Sequence, residues 1–159
     1  MKDGAFGGTY FRKITSFVTK ETYENAHEEF PEEWFKGLRP HAIHGKVYNA
    51  AHNKWGVECG GALDMWESSG WITAIDPYGW FQWYCRFFLG RRSTDDERQI
   101  SRHNGVAGPK GRFKTQLANK VVASGRKFDD PSVSPVIRQT LHHWACALTE
   151  KDVEAARRR

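Results

Sequence analysis

Cysteine is scarce in this chain. Cys59, Cys85 and Cys146 are odd in number, far apart and without a C-x-x-C pair. That excludes a disulfide framework and a cysteine-based zinc site, and it fits a reducing compartment. Long apolar runs are missing too: nothing approaches the roughly 18 residues needed to cross a bilayer, and Met1-Lys2-Asp3-Gly4 leads into no apolar signal segment. A soluble intracellular protein, cytoplasmic or nuclear and with no membrane partner, is expected. The 159 residues fit one domain and show no internal repeat, so the expectation is one domain over 1–159, with a linker over Lys127 to Val133. Its start, about 1–8, reads as irregular, and its basic tail, about 155–159, as frayed. No catalytic motif is specific enough to fix a reaction. Whether the chain is an enzyme and what its oligomeric state is both stay open, and no cofactor is expected.

What is abundant is aromatic surface and charge. Seven Trp, five Tyr and ten Phe imply a core of few, large side chains. The net charge is +5 and unevenly spread. Glu21 to Glu33 holds six acidic residues and no basic one, whereas Arg86 to Lys127 holds eleven basic residues against three acidic ones. Such a basic segment attracts anionic partners, nucleic acid or a phosphate-bearing small molecule.

The pattern predicts a mainly α fold: short helices around one buried aromatic helix, with a short strand pair near the N-terminus. Thr9 to Val18 is β-prone after Gly4, Gly7 and Gly8. Pro31 to Gly37 reads as a short helix. The stretch 39–60 reads as a loop whose His41, His44 and His52 match no standard metal spacing and are taken as solvated. A short helix is expected over Ala62 to Ser69. The central helix is placed at Pro77 to Leu89, with Asp76 as N-cap and Gly90 closing its C-terminus. Its Tyr78, Trp80, Phe81, Trp83, Tyr84, Phe87, Phe88 and Leu89 point all round, which predicts burial. Gln82 and Arg86, four residues apart, form its one polar stripe. Thr94 and Glu97 have capping-box spacing before a helix to His103, and a basic loop follows over 104–112. Phe113, Leu117, Val121 and Val122 mark an amphipathic helix that Gly125 ends. Ser134-Pro135 opens a last helix through Leu148.

Three groups of residues are candidates for function. A cation in an apolar helix requires a carboxylate or an anionic ligand. Arg86 is therefore read either as paired with Asp76, Asp95 or Asp96, or as lining with Gln82 a slot walled by Trp80, Trp83 and Tyr84. On the C-terminal helix Gln139 and His143 share one face and Arg138 and His142 the next. His143 is the candidate acid/base, with Arg86 as the electrostatic partner, although no nucleophile stands at a recognisable spacing. The third group is Arg91, Arg92, Arg98, Arg102, Lys110 and Arg112, around a glycine turn that loosely suggests helix-turn-helix. The carboxylate pairs Glu28-Glu29 and Glu32-Glu33 read as a solvated acidic face.

The string Asp76-Pro77-Tyr78-Gly79-Trp80-Phe81-Gln82-Trp83-Tyr84-Cys85-Arg86 is followed by Gly90-Arg91-Arg92, Asp95 to Ile100, Arg138-Gln139 and His143-Trp144-Ala145. Together with Gly7 to Tyr10, Glu29-Phe30-Pro31, Trp34-Phe35 and Gly70-Trp71-Ile72, it resembles a family of small uncharacterised proteins of bacteria, fungi and plants. The resemblance covers nearly the whole chain and implies one domain with a special central helix, and no catalytic residue. His103, His142 and Cys146 stand where that pattern has Trp, Leu and Tyr. Adjacent His103 and His142 side chains would make a metal or acid/base site; otherwise no metal is expected. The leading expectation is a binding module for an anionic ligand, nucleic acid foremost, through residues 86–127 with aromatic stacking. The rival is a small enzyme acting on a compact, aromatic metabolite in the Trp-lined slot.

Overall fold

The computed structural model describes residues 1–158. By its contacts the chain divides into two compact units, Met1–Ser93 and Thr94–Arg159. It is mainly α, with one two-stranded antiparallel pair near the N-terminus.

The first unit is built around rings rather than long helices. Phe11 is fully buried at its centre, in contact with the rings of Tyr10, Phe30, Phe35, Tyr78 and Phe81. Each such side chain removed from water contributes about 1.5–3 kcal/mol. Strands β1 (Ile14–Thr15) and β2 (Thr22–Tyr23) pair in the register Ile14 with Tyr23 and Thr15 with Thr22. Helix α1 (Leu63–Ser68) is tied to this hairpin by its buried Glu67, which accepts from the Ser16 hydroxyl (3.2 Å) and the Phe17 N–H (2.9 Å). Short 3-10 turns, including Glu32–Trp34, Pro40–Ala42 and Ala50–His52, carry most of the remaining chain.

The central helix α2 is Trp80–Phe88, shorter than the expected Pro77 to Leu89. Asp76 does not cap it. Asp76 to Gly79 form a turn closed by Gly79 N–H to the Asp76 carbonyl at 2.8 Å, and Gly79 is the N-cap residue. The open N-terminal groups are met from elsewhere. Tyr10 Oη accepts from the Gln82 N–H (3.0 Å) and donates to the Tyr78 carbonyl (2.6 Å), while Gln82 Oε1 accepts from the Tyr78 N–H (3.0 Å). The C-terminus follows expectation: Gly90 has φ 101°, its N–H reaches the Phe87 carbonyl, and the Arg91 N–H reaches that of Arg86, a Schellman ending. All-round burial does not hold. Trp83 and Cys85 are buried, but Phe88 is 68% and Leu89 49% exposed.

In the second unit, helices α3 (Asp96–Ala107), α4 (Arg112–Ser124), α5 (Pro135–His143) and α6 (Glu150–Arg157) enclose Leu117, Val121, Leu141, Leu148 and Val153. Helix α3 starts one residue later than the Thr94 cap implies, with Asp95 as its N-cap residue, and runs through Asn104–Ala107, a stretch that reads as loop in the sequence. The true turn is Gly108–Gly111. A Cβ on Gly111 would lie 2.6 Å from the Val106 carbonyl, so the α3–α4 packing there requires glycine. Helix α5 stops at His143 instead of continuing to Leu148, because Trp144 leaves helical geometry and Ala145 takes φ 53°. Ser134 (φ 52°) precedes Pro135 without capping it. The expected frayed tail is helical to Arg157: Thr149 and Asp152 form a capping box that starts α6. Arg159 lies outside the described residues.

Candidate functional site

The polar stripe of α2 closes on carboxylates. Arg86 Nη1 donates to Asp76 Oδ1 (2.9 Å) and to the Ile75 carbonyl (2.6 Å), and its Nε and Nη2 clasp the two oxygens of Glu29 (both 2.9 Å). Gln82 Nε2 adds a bond to Glu29 Oε1 at 3.1 Å. Arg91 grips both oxygens of Asp76 at 2.7 Å. Asp76 is fully buried, so a carboxylate with no access to water faces two guanidinium groups. Burial pulls the Arg86 pKa down, but the bonds and charges of Glu29 and Asp76 outweigh it and hold the guanidinium more firmly charged than usual. The internal pair with Asp76, one of the alternatives open from sequence, is therefore present. Asp95, another of those alternatives, is instead clasped by Arg98 within α3's first turn. Glu29 is the partner that sequence reasoning misses. It belongs to a run that reads as solvated, and 57 residues separate it from Arg86, so no local spacing announces it.

A cleft of about 360 Å³ opens beside this network, lined by Glu24, Asn25, Glu29, Pro77, Gln82 and Arg86 among others. Its walls mix the polar groups of Glu24, Asn25, Glu29, Gln82 and Arg86 with the apolar side chains of Ala26, Ala74, Ile75 and Pro77. Trp80, Trp83 and Tyr84 do not line it, contrary to the expected slot. Their rings meet along the helix, Trp80 tilted against Trp83 (5.2 Å between centroids) and stacked on Tyr84 (5.7 Å), because residues three and four apart share a helix face. The cleft beside Gln82 and Arg86 is thus not the Trp-lined slot of the rival reading.

His143 is buried, with Nε2 3.3 Å from Gln139 Nε2, the face-sharing pair that the spacing indicates. Burial, with His142 adding to it, pushes its pKa down to about 4, so the imidazole is neutral at pH 7. Arg138, 5% exposed, donates to the Val133 (2.9 Å) and Phe128 (2.8 Å) carbonyls and anchors the segment before α5. His103 Nε2 lies 3.2 Å from the Trp144 carbonyl. Among the described residues, no group of three or more His, Cys, Asp or Glu side chains converges as a metal site.

The basic residues sort into two kinds. Arg91 and Arg98 are held by carboxylates, Arg92 by the Phe87 and Arg91 carbonyls, and Arg102 by Gln99 Oε1. Burial and neighbouring Arg98 lower the Arg102 pKa to about 10. Lys110, Arg112, Lys120 and Lys127, by contrast, are exposed, as is Arg126, whose Nη1 lies 3.5 Å from Asp130 Oδ2. The solvent face of α4 presents Arg112, Gln116, Asn119 and Lys120, at positions that follow the helix repeat, while Leu117, Ala118 and Val121 are buried opposite. Phe113, Phe128 and Trp144 pack against the second unit's core. No known family model, curated protein or solved structure matches the chain.

Proposed function

We propose that the second unit binds the phosphate backbone of double-stranded nucleic acid through the solvent face of α4 and the segments flanking it. The observation that carries this reading is a 31-residue stretch, Arg98 to Phe128, with eight basic residues and no carboxylate. Five of the eight, Lys110, Arg112, Lys120, Arg126 and Lys127, are exposed. Charge distribution supports the same surface. The first unit has eleven basic and eleven acidic residues, the second thirteen and eight, so the whole +5 belongs to the second. Cations carry the affinity for phosphate, and the Gln116 and Asn119 amides stand beside them with the donor–acceptor chemistry that reads base edges. A duplex suits this face better than a single strand, since the unit's own aromatic side chains pack inward instead of offering stacking surfaces.

The test is a binding titration of the full chain with duplex DNA and duplex RNA at low salt, repeated with an R112Q/K120Q variant. Wild type is expected to bind, and the variant to bind more weakly with its log–log salt slope reduced by about 2, roughly one for each phosphate no longer neutralised. Absence of wild-type binding at low salt would overturn the reading.

A further inference from the structure

We infer that α4 reads base sequence as well as phosphate: it enters the major groove of duplex DNA, where Gln116 and Asn119 each pair with the edge of an adenine. This rests on the duplex reading proposed for α4 and adds to it the groove, the base and the kind of nucleic acid. A carboxamide presents one acceptor and two donors. Adenine offers the complement in the major groove, an amino donor beside a ring-nitrogen acceptor, so one Gln or Asn side chain makes two bonds to one base. Gln116 and Asn119 are exposed, and among the described residues no partner within the chain occupies their amides. At about 3.6 residues per turn they share a stripe roughly 100° wide with Arg112 and Lys120, opposite buried Leu117, Ala118 and Val121.

The dimensions fit the groove. A helix with its side chains is about 10–12 Å across and the major groove about 12 Å wide. Arg112 and Lys120 lie about 12 Å apart along the axis, far enough to neutralise separate phosphates. Gln116 and Asn119, between them, are about 4.5 Å apart along it, close to the rise of about 3.4 Å between base pairs, so they address neighbouring pairs. Ala123, exposed on the same stripe, is too small to hold the helix away. The unit's last helix shows an ordinary solvated face: α6 exposes Glu150, Lys151, Glu154 and Arg157, and two of these charges repel phosphate. Helix α4 has no carboxylate at all. Duplex RNA is disfavoured, because its major groove is too deep and narrow for side chains to read.

The experiment captures DNA duplexes with a randomised centre on the full chain at low salt and sequences them. The enriched duplex is then compared with its 7-deazaadenine form, which lacks the ring-nitrogen acceptor but keeps the minor groove, and with its duplex RNA counterpart. Wild type is expected to enrich adenine at neighbouring positions and to bind the enriched DNA at least about fivefold more tightly than either comparison duplex. Q116A/N119A should lose that margin while its log–log salt slope stays at the wild-type value, and the high helix propensity of alanine keeps α4 folded. Wild-type binding without base preference, a preference that 7-deazaadenine or Q116A/N119A leaves intact, or equal affinity for the RNA would overturn this inference and leave the phosphate reading standing. No wild-type binding to any duplex at low salt would overturn both.

Discussion

Asp76 is the residue on which the first unit's electrostatics turn. Both of its oxygens are gripped by Arg91, one is shared with Arg86, and it has no water to fall back on. Removing one partner of a buried ionic group costs about 3–5 kcal/mol, because the groups left behind stay buried and uncompensated. Asp76→Ala should therefore lower stability by that order, read as a shift in urea midpoint. Glu29→Gln should cost far less, about 1 kcal/mol or below, since the Glu29 side chain is 35% exposed and water screens the pair. Equal losses for the two variants would contradict the burial argument. His143 gives a prediction of the opposite chemistry. Its folded pKa of about 4 lies below the unfolded 6.5, so the unfolded chain binds the proton first as pH falls. Its contribution is complete above pH 6.5 and is lost progressively toward pH 4, about 3 kcal/mol over the window. Denaturant midpoints at pH 7 and pH 5 should converge in His143→Gln relative to wild type. An unchanged difference would show that another group titrates there.

At the scale of elements, local chemistry writes the glycine-closed ends of α2 and α4 more clearly than the start of α2. Gly90 and Gly125 are legible because a helix that stops by turning left-handed favours glycine, and the C-terminal ends of α2 and α4 lie where those residues put them. The start of α2 is not legible. Asp76-Pro77 has the composition of a cap, but the carboxylate is taken by guanidinium groups and the capping is done by Tyr10, 72 residues away from Gln82. Gly79 holds φ 86° and ψ −150°, a region open only to glycine, and a Cβ there would lie 2.7 Å from Ile72 Cδ1. Gly79→Ala is thus expected to cost about 1–3 kcal/mol, measurable as a lowered Tm, while Gly37→Ala, with nothing within 4 Å, should cost less even at φ 86°. The polar stripe is legible from the spacing of Gln82 and Arg86. Its closure on Glu29 is not, because the hydrophobic period of a helix says which face is polar and nothing about the distant segment that meets it. The false aromatic slot has a similar origin: Trp80, Trp83 and Tyr84 share a face, and the sequence cannot distinguish rings that wall a cavity from rings that stack on each other.

Across the whole molecule, charge is divided rather than diluted. The first unit sums to zero and commits its central arginines to its own carboxylates. The second keeps an excess of five positive charges, with five exposed cations on and beside α4. Composition alone shows the excess but counts Arg86, Arg91, Arg98 and Arg102 as part of it, although these four are occupied internally. The distinction predicts a number. With five exposed cations, of which Arg126 also pairs with Asp130, the log of duplex affinity should fall against the log of salt with a slope no steeper than about −4.5, whereas all eleven basic residues of the 86–127 segment would give a slope near −10. The most direct test is that slope for the full chain, measured between about 50 and 200 mM salt. A value between about −3 and −4.5 that falls by about 2 in R112Q/K120Q is the result expected. A slope near zero, or one that the substitutions leave unchanged, would contradict the assignment of binding to α4.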